Sequence, residues 1–214
     1  MEIKDVTTDT QNLEAKILQC AEREFMDKGY AGARTAIIAE AAGVSKSALH
    51  YHFRSKEKLF ERIINEKIEM LKEAIIPALY DVDRPLVIYI KNIIGQHLKF
   101  ISANPYLPGF LIRELNSGSS QASTILNAIR GFSSTLLSVF GDKINRAVAD
   151  GICEPVDIRM LIIDIVSLNV FPYMASPVIN AALADCMTNS EEFMEMRRKE
   201  NLELILRRLK PRQL

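Results

Sequence analysis

The stretch IAEAAGVSKSALHYHF, Ile38 to Phe53, permits few folds. An apolar run, TAIIAEAA, extends from Thr35 to Ala42 and stops at Gly43, and a second run starts at Ser45. Gly43 permits the left-handed backbone that a tight turn needs, and Ser45 is a good helix cap. Ile38, Ala39, Val44 and Leu49 would form the apolar inside, while Ala39 and Ala42 are small enough for two short helices to cross closely. The spacing predicts a helix-turn-helix over about 34–53, a layout whose second helix can enter a DNA major groove. Taken alone the pattern is only moderately specific, because short helical pairs in ordinary cores share it.

The rest of the chain is also patterned for helices. From Thr10 to Lys28, Leu13, Ile17, Ala21 and Phe25 recur every four residues, and Gly29 stands where a helix would end. A fourth helix is expected from about Ser55, which can cap it, with Glu57 suited to the positive helix start. Further helical segments follow Arg84, surround Pro108 and Gly109, run from Ala122 to Gly151, open on Pro155 and close the chain from Ser190. Strand signals are weak. The fold class expected is all-α, with 214 residues and 48% hydrophobic content sufficient for a sizeable core.

Charge is balanced overall, with 27 basic and 27 acidic residues, so local charge has to be read instead. Cys20, Cys153 and Cys186 are scattered, which suits a reducing cytoplasm better than a disulfide framework. The amino terminus lacks the basic start and apolar stretch of a signal peptide. The most apolar run, Met160 to Ile179, is interrupted by Asp164, Asn169 and Pro172 and reads as a buried helix rather than a membrane span.

From Ile17 to about Ile64 the chain resembles the TetR family of bacterial transcriptional regulators. Gly29-Tyr30, Ile38-Ala39, Ala42-Gly43-Val44-Ser45, Leu49, Phe53, Lys56 and Leu59 carry the resemblance at fixed spacing. Two positions depart from the family pattern. His50 stands where a tyrosine is usual, and Arg34 where a Thr or Ser precedes the second helix, with Thr35 one place later. Either Thr35 caps that helix, or Arg34 sits at its boundary and reaches a phosphate. The resemblance implies an N-terminal three-helix helix-turn-helix DNA-binding domain (10–56) followed by a helical ligand-binding and dimerisation domain (57–214). The functional boundary is expected in or just after the fourth helix, near Glu66 to Pro77.

The segment from Arg34 to Lys58 carries five basic residues against two acids, a net +3 in a neutral chain. Such a patch attracts phosphate and makes affinity salt-dependent. Lys56, His50, Thr35 and Arg34 are the expected phosphate contacts. Lys46, Ser47, Ala48 and Tyr51 are expected at the groove, where Lys46 suits a guanine and the Ala48 methyl a thymine methyl. Residues two apart on a helix point about 200° apart, so His50 and His52 cannot grip one metal ion; one or both can instead donate to phosphate.

In the second domain the resemblance implies a pocket, for which Tyr89, His97, Phe100, Phe110, Arg113, Asn169 and Tyr173 are the candidates. Taken singly, each reads more readily as a hydrogen-bonded core residue or a surface residue. It also implies a homodimer interface on the segments 155–171 and 190–210, using Ile163, Val166, Phe193, Met196, Leu202, Ile205 and Leu209, unless that face packs within its own subunit. The expected partners are double-stranded operator DNA, a small-molecule effector and a second copy, with no membrane, cofactor or metal. The alternative is a DNA-binding adaptor of the same fold whose second domain binds a protein. No nucleophile motif or Gly-rich phosphate loop supports an enzyme, and tight zinc sites need three or four ligands.

Overall fold

The computed structural model describes residues 3–183 and 190–210, with side chains from Asn12 onward. The described chain forms α1 (Ile3–Gly32), α2 (Thr35–Ala42), α3 (Lys46–Phe53), α4 (Lys56–Tyr80), α5 (Leu86–Ala103), α6 (Leu107–Asn116), α7 (Ala122–Ala149), α8 (Ile158–Met174), α9 (Ser176–Ala182) and α10 (Glu191–Leu209). No strand occurs among the described residues. Cys20 and Cys153 are free thiols, and Cys186 lies outside the described residues.

The chain divides into two compact units, Met1–Ile68 with Phe110–Ala128 and Glu69–Gly109 with Ile129–Leu214. A linear division at 56/57 therefore misses two things. The first unit keeps the start of α4, and it takes in most of α6 and the beginning of α7. Pro108 and Gly109 do not break α6, because they occupy its first turn, where proline's missing N–H costs nothing. Gly131 and Gly141 likewise do not divide the 28-residue α7.

In the first unit the α1 stripe of Ile17, Ala21 and Phe25 is buried as its period predicts. At Gly29 the regular helix breaks, as the position of that glycine predicts. The helix kinks there, with Gly29 at φ 71, ψ 171, and resumes to Gly32. A break of this kind frees the Tyr30 N–H and the Met26 carbonyl from the i→i−4 ladder. Glu114 Oε1 accepts from Tyr30 N at 3.1 Å, and Arg113 Nη2 donates to the Met26 carbonyl at 2.8 Å. Two consecutive α6 side chains thus replace the missing rung.

The helix-turn-helix forms as the local chemistry dictates. Gly43 adopts φ 71, ψ 32 and closes α2 with its N–H on the Ala39 and Glu40 carbonyls. Ser45 Oγ accepts from Ala48 N at 3.0 Å and caps α3. Neither Thr35 nor Arg34 caps α2 with its side chain; Arg34 is the N-cap residue, and its own N–H goes to Glu24 Oε1 at 3.2 Å.

In the second unit, Leu79, Tyr89, Ile90, Ile94, Phe140, Ile144, Leu161, Ile205 and Leu209 form one buried cluster with their neighbours. Here α5 packs against α8 and α10, and α8 against α10. The helix α8 begins at Ile158 rather than at Pro155, because Asp157 accepts from Arg159 N and Met160 N. No single described helix is long and apolar enough to cross a membrane; α8 and α9 pass such a test only as a pair bent by 71°.

Candidate functional site

Arg34, Thr35, Lys46, His50, Ser55 and Lys56 line one open groove of about 510 Å³. The α2 start supplies two of these side chains, α3 two, and the α3–α4 junction two. Lys46, Ser47, His50 and Tyr51 are exposed, with Tyr51 at 73%, while Leu49 and Phe53 are buried. An exposed tyrosine next to His50 on a short helix is placed to meet a polar surface, not a core. Ala48 is half-buried.

The two histidines separate as the helix geometry requires. His50 faces the groove, but His52 turns the other way. Its side chain is only 10% exposed, and its Nδ1 lies 3.1 Å from Glu14 Oε1 on α1. That corrects the expectation for His52: it ties α3 to α1 and is not on the groove.

Lys56 begins α4, where Ser55 Oγ accepts from Lys58 N at 3.2 Å. Its ammonium lies 4.7 Å from the centroid of the Tyr30 ring and 3.5 Å from the Ala31 carbonyl. The ring itself stacks on Phe25 at 6.0 Å and meets Phe60 edge-on at 5.1 Å. The Tyr30 hydroxyl donates to Glu57 Oε1 at 2.6 Å. That bond, with backbone and Ser55 hydrogen bonds, brings the Glu57 carboxyl down to about 2, and burial raises the Tyr30 hydroxyl above its ordinary range.

The pocket candidates do not converge. Phe110 and Arg113 belong to the first unit, where Phe110 packs near Phe60 and Arg113 bonds the end of α1. Tyr89 is fully buried, and its hydroxyl is already used on the Leu79 carbonyl at 3.0 Å, so it serves the core. Phe100 is buried as well. His97, Asn169 and Tyr173 do belong to one polar seam, and α10 adds Arg197 and Asn201, which the sequence reading missed. Asn169 Nδ2 donates to the Ile94 carbonyl and to His97 Nδ1, both at 3.1 Å, and Asn169 Oδ1 accepts from Asn201 Nδ2 at 2.7 Å. Arg197 Nη2 donates to the Leu168 carbonyl at 3.1 Å. The Tyr173 hydroxyl, Arg197 Nε and Asn201 Oδ1 are buried without a protein partner. Tyr173 and Asn169 were signalled as polar residues interrupting the apolar α8, whereas Arg197 and Asn201 lie in the charged α10 and carry no such signal.

Burial pushes the His97 ring down to about 4, and the amide N–H facing Nδ1 opposes a second ring proton. The unfolded chain takes up that proton near 6.5. Its contribution to stability therefore falls as pH drops through about 6.5, and the loss is complete below about 4. The thermal midpoint of His97→Gln should decline less between pH 7 and pH 5 than that of the parent. Parallel declines would contradict the assignment.

Of the dimer candidates, Ile163, Val166 and Met196 are exposed, at 52%, 40% and 53%. Leu202 is half-buried, and Phe193, Ile205 and Leu209 are buried in their own unit. The last three are corrected to core residues, since α10 turns that face onto α5 and α8. Among the described residues no group of three or more His, Cys, Asp or Glu is placed to hold a metal ion.

A groove of basic and polar side chains around the second helix of a helix-turn-helix defines a DNA-binding module. Residues 17–63 match the family described as bacterial regulatory proteins, tetR family. The regulator TtgR of Pseudomonas putida is 33% identical over 63 residues, 29% of this chain and 30% of that protein. QacR of Staphylococcus aureus is 43% identical over 54 residues, 25% of this chain and 29% of that protein. The matched stretch thus spans under a third of these relatives. Across most of the chain the fold is that of PfmR from Thermus thermophilus, with a TM-score of 0.68 at 22% identity, covering 89% of this chain and 97% of that one. The structure of AibR with isovaleryl coenzyme A and operator DNA gives a TM-score of 0.68 at 16% identity, covering 94% and 100%. Residues 17–63 thus match the TetR family, and the fold of most of the chain is shared with a solved TetR-family structure.

Proposed function

We propose that the chain is a transcriptional regulator, acting as a repressor that binds a pseudo-palindromic operator as a dimer and leaves it when a small molecule binds the second unit. The observation that carries this reading is the groove that brings Arg34, Thr35, Lys46, His50 and Lys56 together beside exposed Tyr51. In it Lys56, Arg34, Thr35 and His50 hold phosphates, the first beside the N–H groups of the α4 start. Lys46, Ser47, Ala48 and Tyr51 face the bases.

Dimerisation is supported by α8. It buries Leu161, Ile165, Asn169 and Tyr173 within its unit yet leaves Met160, Ile163, Val166, Phe171 and Met174 exposed. A helix apolar on both faces is one that something else covers, and a second copy on a two-fold axis meets two half-sites. The seam of His97, Asn169, Tyr173, Arg197 and Asn201 offers the unsatisfied polar atoms that would orient an effector. To release DNA, the effector must bind the DNA-incompetent state better than the competent one. An adaptor reading, with a protein partner in place of the effector, is favoured by the open groove of Lys91, Glu195, Met196, Arg198 and Leu202 on α5 and α10.

Binding to DNA from the chain's own promoter region, titrated with salt, tests the proposal; no binding at low salt overturns it. Lys56→Ala should weaken binding to every sequence alike and lower the salt slope by about one. A loss that depends on the base sequence would contradict its phosphate role. Release by a member of a metabolite panel supports the repressor, and release only by a protein supports the adaptor.

A further inference from the structure

The break in α1 at Gly29 stands next to the residues that hold Lys56, and α6 supplies the groups that fix it. We propose that Glu114 is a positioning residue for DNA binding: by holding the Tyr30 backbone it sets the aromatic ring that carries the Lys56 ammonium. This rests on the reading of Lys56 as a phosphate contact.

Three observations join the two ends. Glu114 is 3% exposed, and its carboxylate accepts the Tyr30 N–H, a backbone donor that the break at Gly29 takes out of the helical ladder. The residue carrying that N–H is Tyr30, whose ring is fixed between Phe25 and Phe60 and lies under the Lys56 ammonium at 4.7 Å. The same tyrosine's hydroxyl engages Glu57. Glu57 is the immediate neighbour of Lys56 and the nearest acid in sequence that could neutralise it. Tyr30 therefore does two things for Lys56: its ring supports the cation, and its hydroxyl keeps a carboxylate occupied elsewhere. A buried acid of α6 thus acts on a phosphate contact through one tyrosine. Arg113 secures the same break from its other side, on the Met26 carbonyl at 2.8 Å.

The test is a double-mutant cycle on promoter DNA binding, using the full chain. Glu114→Ala should weaken binding about tenfold with Lys56 present and less than about threefold in the Lys56→Ala background. Glu114→Gln, whose side-chain carbonyl still accepts from Tyr30 N–H, should recover most of the loss. Tyr30→Phe keeps the ring and releases Glu57, and its smaller loss of about threefold should likewise shrink when Lys56 is absent. A role confined to folding would produce equal losses in both backgrounds, and that result overturns the proposal. Should Glu114→Ala fail to fold, the Tyr30→Phe cycle decides by the same criterion. Lys56→Ala binding at full strength would remove the phosphate reading and this inference together; a full Lys56 effect with additive losses removes this inference alone.

Discussion

Gly29→Ala should lower the unfolding midpoint by a loss of roughly 2–4 kcal/mol. Gly29 sits at φ 71, ψ 171, a region that is almost closed to residues with a Cβ. A methyl there would also lie 2.8 Å from Glu114 Oε1, the atom that holds Tyr30 N. Backbone strain and collision therefore act on the same bond, and neither relaxes without giving up the kink. Gly43 is the internal comparison. It too has positive φ, but in the left-handed helical region, and its added Cβ would meet only the tip of Lys16 at 3.5 Å. Gly43→Ala should cost about 1–2 kcal/mol. Urea denaturation of both variants against the parent measures the difference, and Gly29→Ala as stable as Gly43→Ala would contradict the argument.

Asn169→Ala should destabilise the second unit by about 3 kcal/mol. Asn169 is fully buried and uses both amide hydrogens and its carbonyl, on Ile94, His97 and Asn201. Truncation leaves the Asn201 amide and His97 Nδ1 without this partner, and the Asn201 carbonyl already lacks one. Orphaned buried groups, not the lost bonds as such, set the cost. The double replacement Asn169→Leu with Asn201→Leu should therefore be milder than the single truncation. Thermal unfolding of the three variants decides it: a double variant worse than Asn169→Ala would show that packing, not polar satisfaction, controls this position.

Much of the first unit was legible because its signals are local. Gly43, Ser45 and the small Ala39 and Ala42 act on their own neighbours, so the turn, the α3 cap and the buried Leu49 and Phe53 follow from the sequence. His52 was misjudged for the opposite reason. Its helix position is plain, but its partner Glu14 lies 38 residues away. The break at Gly29 was legible for the same local reason as the turn, but the groups that fix it, Arg113 and Glu114, come from α6. In the second unit, helical periodicity located the elements but not their facing. Tyr89, Phe193, Ile205 and Leu209 are ordinary core residues once the helices are packed, and only packing shows that Arg197 and Asn201 join the seam.

The recognition helix is short. Eight residues in α3 extend about 12 Å, which at 3.4 Å per base step covers about three or four base pairs. Even if every pair in that window were fully distinguished, one helix would select about one site in 256, against roughly a million or more competitors in a genome. Reading a second window multiplies the selectivity instead of adding to it, so in the proposed dimer the information needed to find one address would come from pairing two such readers at a set spacing. Under that proposal the length of α3 would make the distance between two copies as much a part of the message as the bases that either one touches.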